Sequence, residues 1–227
     1  MADAAANGPG AQQGAPSDDR APGEATVGGA PPQQPRSIER QAQVRSAAVG
    51  VLLGSGAGAV THRRVAEEAS ASLGAIRYYF RTRADLLAAC LEEIERVRTA
   101  EAERVLAEAD RGDPSDAERT AWMALRVFYG PDLQDDAVTG MAWCIVDCAR
   151  ESPDLAARLA RHRQAAGRQV QQLLAARGHP DVRPTLAPAI LDGSVTTAAV
   201  TGTSGVAETA VAELAAVLQG TVTSPGR

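Results

Sequence analysis

Apolar residues recur at three- and four-residue steps along most of the chain, and the interruptions between these runs are short. From Ser37 onward Val44, Ala47, Ala48, Val51 and Leu52 fall on one face of a helix, which the run Gly54-Ser55-Gly56-Ala57-Gly58 ends. Thr61 stands where an N-cap belongs, ahead of a short helix with Val65, Ala66 and Ala69 turned inward. Ser70, Ala71 and Ser72 make a tight turn, and Ser72 caps a second short helix from Leu73 to Phe80. Asp85 then lies in the first turn of a long helix carrying Leu87, Cys90, Leu91, Ile94, Val97 and Val105 on one stripe and running towards Asp110. The same periodicity predicts helices over 115–129, 137–150, 153–177, 183–202 and 205–219. The stretch 195–203 is β-branched enough to suit a strand, but no partner strand is evident, and it is assigned to helix. No internal repeat is visible.

Composition supports this all-α reading. Of 227 residues, 44% are hydrophobic and only 3% aromatic, Ala is abundant, and every basic residue is Arg. That length holds one sizeable core, or a small domain beside a larger one. No apolar run approaches the roughly 20 residues of a membrane helix, and no signal peptide is apparent at the N-terminus. The expectation is a cytoplasmic protein that does not enter a membrane. Three cysteines, Cys90, Cys144 and Cys148, are too few and too close to staple a secreted domain and are expected to be thiols. Residues 1–35 have almost no large apolar side chain to offset ordering entropy, and a disordered tail is expected there. Its proline-rich end at 31–35 is either a linker or a docking motif for a proline-recognising domain.

Charge divides the chain more sharply. The net charge is -5, yet residues 36–83 set eight Arg against Glu39, Glu67 and Glu68, while the segments on either side are acidic. A compact basic segment in an acidic protein fits a nucleic-acid footprint, or simply a solvated basic face. Two helices of about eight residues joined by a few small residues add the geometry of a helix-turn-helix, whose second helix enters the major groove.

From Arg40 to Leu87 the sequence reads RQAQVRSAAVGVLLGSGAGAVTHRRVAEEASASLGAIRYYFRTRADLL. In order, spacing and residue type this stretch, about a fifth of the chain, resembles the N-terminal signature of the tetracycline-repressor (TetR) family of bacterial regulators: an Arg-led amphipathic helix, a Gly turn, a Thr-capped helix and a recognition helix ending in an aromatic-Phe pair. The resemblance implies a three-helix DNA-binding domain at 36–83 and a larger helical ligand-binding and dimerisation domain at 84–227. Its implied partners are double-stranded operator DNA, a small-molecule inducer and a second copy of the chain. No cofactor is implied. Matching positions place Arg40, Thr61, Arg63, Arg64, Ser72, Leu73, Gly74, Ala75, Arg77, Tyr78, Tyr79 and Arg83 at DNA. Two of them depart from the family pattern, since Arg77 stands where Tyr is frequent and Arg83 where Lys is usual.

Physical chemistry gives those residues roles. Hydroxyls and backbone N–H groups at the helix starts, Thr61 and Ser72, suit phosphates, and Tyr78 and Tyr79 offer phenolic donors or are packed. Leu73, Gly74 and Ala75 cannot donate from a side chain, so direct readout falls to thymine methyl contacts and to the Arg77 fork. Arg83 is expected at a phosphate, and Phe80 in the core.

In the larger domain the resemblance implies an inducer pocket within residues 84–200 and a four-helix dimer interface from the last two helices. Trp122, Arg126, Met141, Trp143, Cys144, Asp147, His162 and Asp192, which stand on or beside otherwise apolar stripes, are the candidate lining. Arg126 and Asp147 form an internal ion pair in an alternative reading. Cys144 and Cys148, four apart, are small buried residues or, with His162, a soft metal or redox site. The absence of a Gly-rich phosphate loop, a nucleophile elbow and an HExxH motif speaks against an enzyme. The functional expectation is a ligand-responsive repressor. A helical enzyme or carrier with a relic DNA module and a ligand-independent activator are the competing readings.

Overall fold

A computed structural model describes residues 35–109 and 116–222; the expected N-terminal tail lies outside the described residues. Among the described residues there are nine α-helices and no strand: α1 (Pro35–Ser55), α2 (His62–Glu68), α3 (Leu73–Tyr79), α4 (Arg83–Glu108), α5 (Ala117–Tyr129), α6 (Asp135–Glu151), α7 (Pro153–Ala176), α8 (Leu186–Thr201) and α9 (Val206–Val222). The β-branched stretch in 195–203 is helical up to Thr201; α8 packs on α9 and α6, and tertiary packing overrides the local preference.

Local chemistry fixes the helix boundaries. The Thr61 and Ser72 hydroxyls accept from the backbone N–H groups of Arg64 and Ala75, capping α2 and α3. Thr82 and Asp85 close a reciprocal capping box at the start of α4, and this bond, chiefly to the Thr82 hydroxyl, lowers the Asp85 pKa. The glycine run after α1 contains one 3₁₀ turn, Ala57–Ala59. Between α2 and α3, Ser70 takes a left-handed backbone with φ 47°.

Two hydrophobic clusters organise the packing. One joins α1, α2 and α3 to the start of α4 through Val44, Leu52, Val65, Ile76, Phe80 and Leu87, and it extends to Cys144 and Cys148 of α6 and Leu155 of α7. The other lies among α4 to α9, around Leu125, Phe128, Leu173, Leu191 and Leu214. Helix α6 reaches both clusters. At Gly140 it meets α1 so closely that a Cβ there would stand 2.5 Å from the Leu53 carbonyl oxygen. Among the described residues no helix is long and apolar enough to cross a membrane.

Candidate functional site

The capped pair α2–α3 presents a polar outer face. Phe80 is 5% exposed and Ile76 fully buried, which anchors α3 from beneath. His62 Nε2 lies 2.8 Å from the Phe80 carbonyl oxygen and ties the start of α2 to the end of α3. On the outside Thr61, Arg63, Arg64, Ser72, Leu73, Gly74, Arg77 and Tyr78 are exposed, while Ala75 and Tyr79 are half-buried. Leu73 is 40% and Tyr78 82% exposed, an unusual surface for large apolar rings and chains. Tyr78 and Tyr79 meet edge to face with ring centroids 5.4 Å apart.

The arginines of this region divide by partner. Arg63 pairs with Glu67 at 3.0 Å and Arg64 with Glu68 at 3.8 Å, so α2 is partly self-neutralised. Arg40 donates to Gln43 and to the Ser70 carbonyl, which holds the left-handed turn between α2 and α3. Among the described residues the exposed Arg77 side chain has no hydrogen bond or ion pair, while exposed Arg81 lies by Asp85, whose pKa its charge and backbone N–H help to lower. Arg83, expected at a phosphate, is bonded within the protein. Its Nε donates to the Val60 carbonyl at 3.1 Å, one Nη to the Ala57 carbonyl at 2.7 Å, and the other Nη pairs with Glu151. Its fork is occupied by the protein itself.

The candidate pocket residues do not converge on one site. Met141, Cys144 and His162 border a small cavity of about 40 Å³ with Leu91, Phe128 and Leu159. Met141 also borders a neighbouring cavity of about 170 Å³ between α1, α4, the end of α5 and α6, lined by Val49, Leu53, Ile94 and Val97, with Ser46, Glu93, Arg98, Tyr129 and Asp132 as polar groups. Its α1 wall lies outside the 84–200 segment in which an inducer pocket was expected. Asp192 faces an open groove between α7 and α8, where it accepts from the Tyr129 hydroxyl at 2.8 Å and pairs with Arg163. The Arg163 guanidinium lies 3.9 Å over the Phe128 ring. Burial, and then the Asp192 charge, push the Tyr129 pKa up.

The remaining candidates stand elsewhere. Trp122 packs half-buried against the core of the larger cluster, and Trp143 is 45% exposed. The alternative ion pair between Arg126 and Asp147 is not formed. Arg126 donates to Glu101 at 2.7 Å, a carboxylate only 1% exposed, while Asp147 is exposed and lies beside Gly56. His162 approaches Glu92 at 3.8 Å. Among the described residues no group of three or more His, Cys, Asp or Glu side chains is arranged to hold a metal ion. His179, placed by sequence in a polar turn, is 3% exposed.

A capped two-helix unit with an outward, partly apolar and cationic second helix, carried on a long helix, defines a helix-turn-helix DNA-binding protein. Residues 44–90, about a fifth of the chain, match the family model described as bacterial regulatory proteins, tetR family, and in this segment the chain is similar to that family of DNA-binding transcriptional regulators. A solved TetR-family member from Streptomyces coelicolor A3 is 27% identical, with 79% of this chain and 98% of that one aligned at a TM-score of 0.58. The multidrug binding protein EbrR, solved with malachite green, is 27% identical over 79% of this chain and 96% of its own, with a TM-score of 0.56. A TetR transcription regulator from Haloarcula marismortui, at 19% identity and a TM-score of 0.64 over 81% and 98% of the two chains, shares the fold. No curated protein matches the chain.

Proposed function

We propose that this regulator is a homodimeric, cytoplasmic repressor that leaves a palindromic operator when a small, largely apolar molecule binds, and that it has no catalytic activity of its own. In this reading residues 36–83 bind DNA and 84–227 bind ligand and partner. The observation that carries it is the exposed outer face of α3. Leu73, Arg77 and Tyr78 point away from the protein, and an unpartnered guanidinium beside an exposed leucine suits a guanine edge and a thymine methyl. Thr61 and Ser72, at the helix starts, would lie against phosphates.

The cavity between α1, α4 and α6 supports the ligand, because α1 belongs to the DNA-binding unit and an occupant there touches both parts. EbrR, which binds a dye, is a relative of comparable length. For the dimer, the outward positions of α8 and α9 carry small residues, among them Ala189, Gly193 and Thr197 on one helix and Ala212 and Ala216 on the other, which lets helices of two copies approach closely.

The test is an anisotropy titration with DNA flanking the chain's own gene, at low and moderate salt, alongside sedimentation. A dimer that binds one fragment far more tightly than random DNA supports the reading. A folded dimer with no preference at any salt overturns it. A thermal-shift screen of apolar compounds then tests the ligand, since binding stabilises by RT ln(1 + [L]/Kd).

A further inference from the structure

Cys144 and Cys148 occupy the inner face of α6 with their Sγ atoms 4.0 Å apart, close enough for one thiol to donate to the other. Both are at most 1% exposed. We infer that this pair is a binding site for monosubstituted trivalent arsenicals, soft electrophiles that take two thiols on one atom.

The geometry excludes the usual fates of two neighbouring thiols. Residues four apart on a helix hold their Cβ atoms about 5–6 Å apart, whereas a disulfide needs about 3.5–4.5 Å, so direct oxidation would have to unwind α6. A zinc-type ion wants four ligands, and no third ligand is placed to complete such a set among the described residues. An atom that bridges the two sulfurs without joining them, and that brings its own third substituent, fits both constraints. Soft thiolate pairs favour such centres.

The surroundings suit the reaction and the product. The hydrogen bond from Cys144 lowers the Cys148 pKa, outweighing burial and the Asp147 and Glu151 charges that oppose it, with the Arg83 guanidinium as a smaller aid. That bond, and then burial, raise Cys144. Cys144 borders the small cavity with Leu91, Phe128 and Leu159, an apolar bed for the substituent. Flexible Met141 borders both this cavity and the larger one, so movement of its side chain offers further room. With an arsenic(III) oxide R–As=O, two As–S bonds form and the As=O bond is broken. Both thiol protons leave with the oxygen as one water, arsenic remains trivalent, and no oxidant is used.

A bridge here acts on the DNA-binding unit, a consequence that rests on the regulator reading while the site itself does not. The thiols pack in the same cluster as Val44, Leu52 and Leu87, and the same helix touches Leu53 through Gly140 and holds Arg83 through Glu151. An added atom and substituent overpack this region and shift α6 against α1.

The experiment treats the native full-length protein with phenylarsine oxide and follows intact mass, free-thiol count and melting temperature, with a titration on its preferred DNA fragment. The expected result is one phenylarsenic per chain, two thiols consumed and no change in this stoichiometry for Cys90→Ala. Cys144→Ala and Cys148→Ala each reduce affinity for the reagent by about a hundredfold, because a two-point attachment becomes one-point. The adduct weakens DNA binding by about tenfold or more. The proposal is overturned if only denatured chain reacts, if either single variant that still melts cooperatively keeps the wild-type affinity, or if peroxide closes a Cys144–Cys148 disulfide in the native fold. Adduct formation with DNA affinity unchanged upholds the site and sinks its coupling to DNA.

Discussion

Arg83, the first residue of α4, and Glu151, the last of α6, form an ion pair across 68 positions of sequence while the same guanidinium caps the carbonyls of Ala57 and Val60. One side chain therefore joins the turn ahead of α2, the base of α4 and the end of α6. Arg83→Ala should cost about 1–3 kcal/mol of stability, the carbonyl bonds dominating because both ion-pair partners are about a third exposed. Glu151→Gln alone should cost under about 1 kcal/mol. Denaturant melts separate the two. In a DNA titration, if its internal bonds keep this guanidinium from phosphate, Arg83→Ala should lower affinity while leaving the slope of log affinity against log salt unchanged. A slope reduced by about one would return Arg83 to the phosphate backbone.

Gly140 sits where α6 crosses α1, and the crossing leaves no space for a methyl group. A Cβ at this position would lie 2.5 Å from the Leu53 carbonyl oxygen and 3.2 Å from its carbonyl carbon, both backbone atoms that cannot swing aside. Gly140→Ala should therefore destabilise by about 1–3 kcal/mol through overpacking, despite the better helix propensity of Ala. Gly50→Ala, at an exposed position inside α1 where nothing lies within 4 Å of the added Cβ, should move the melting temperature the other way or not at all. Equal melting of the two variants would show that α6 and α1 can separate to admit a methyl group without penalty.

Buried His179 makes stability depend on pH. Burial, and then the neighbouring Arg177 charge, lower its pKa below the ordinary 6.5. Above that value both folded and unfolded chains hold a neutral imidazole, and its contribution is complete. As the pH falls below 6.5 the unfolded chain takes up a proton that the folded chain refuses, so stability drops through this window until the folded group also titrates. Urea melts between about pH 7.5 and 5 should show this fall, and His179→Gln should flatten it. A slope in the variant as steep as in the parent would assign the effect elsewhere.

The helices were legible because their signals are local. Thr61, Ser72 and Asp85 announce helix starts within three residues of the groups they bond, and the Arg40–Leu87 motif spans α2, α3 and most of α1. Partner choice was not legible. Arg126 chose Glu101, 25 positions away, over Asp147, and Arg83 chose Glu151. Which carboxylate lies across a helix crossing depends on rotation and offset between helices, which periodicity leaves open. The pocket dispersed for the same reason: Trp143 and Asp147 share α6 with Met141 and Cys144 but stand on exposed positions, and a one-position error around a helix turns a lining residue into a surface one.

If Arg77 reads a base and Arg81 anchors a phosphate, the salt dependence of each variant distinguishes the two roles. Arg77 is exposed on α3, one turn after Leu73, with no hydrogen bond or ion pair among the described residues, so its fork is free to meet a base. Arg81 follows α3 ahead of the capping box, beyond the last turn of that helix, a place that would meet backbone phosphates if α3 lies in the groove. Arg77→Ala should cost about 1–3 kcal/mol on the preferred fragment and relax the choice at one base pair in each half-site. Arg81→Ala should weaken all sequences alike and reduce the salt slope by about one for each phosphate no longer neutralised. If Arg77→Ala instead weakens every sequence equally, Arg77 is a second phosphate clamp. Specificity then passes to Leu73 and Ala75 against thymine methyls and to the shape of the operator, and Leu73→Ala becomes the variant expected to erase the preference.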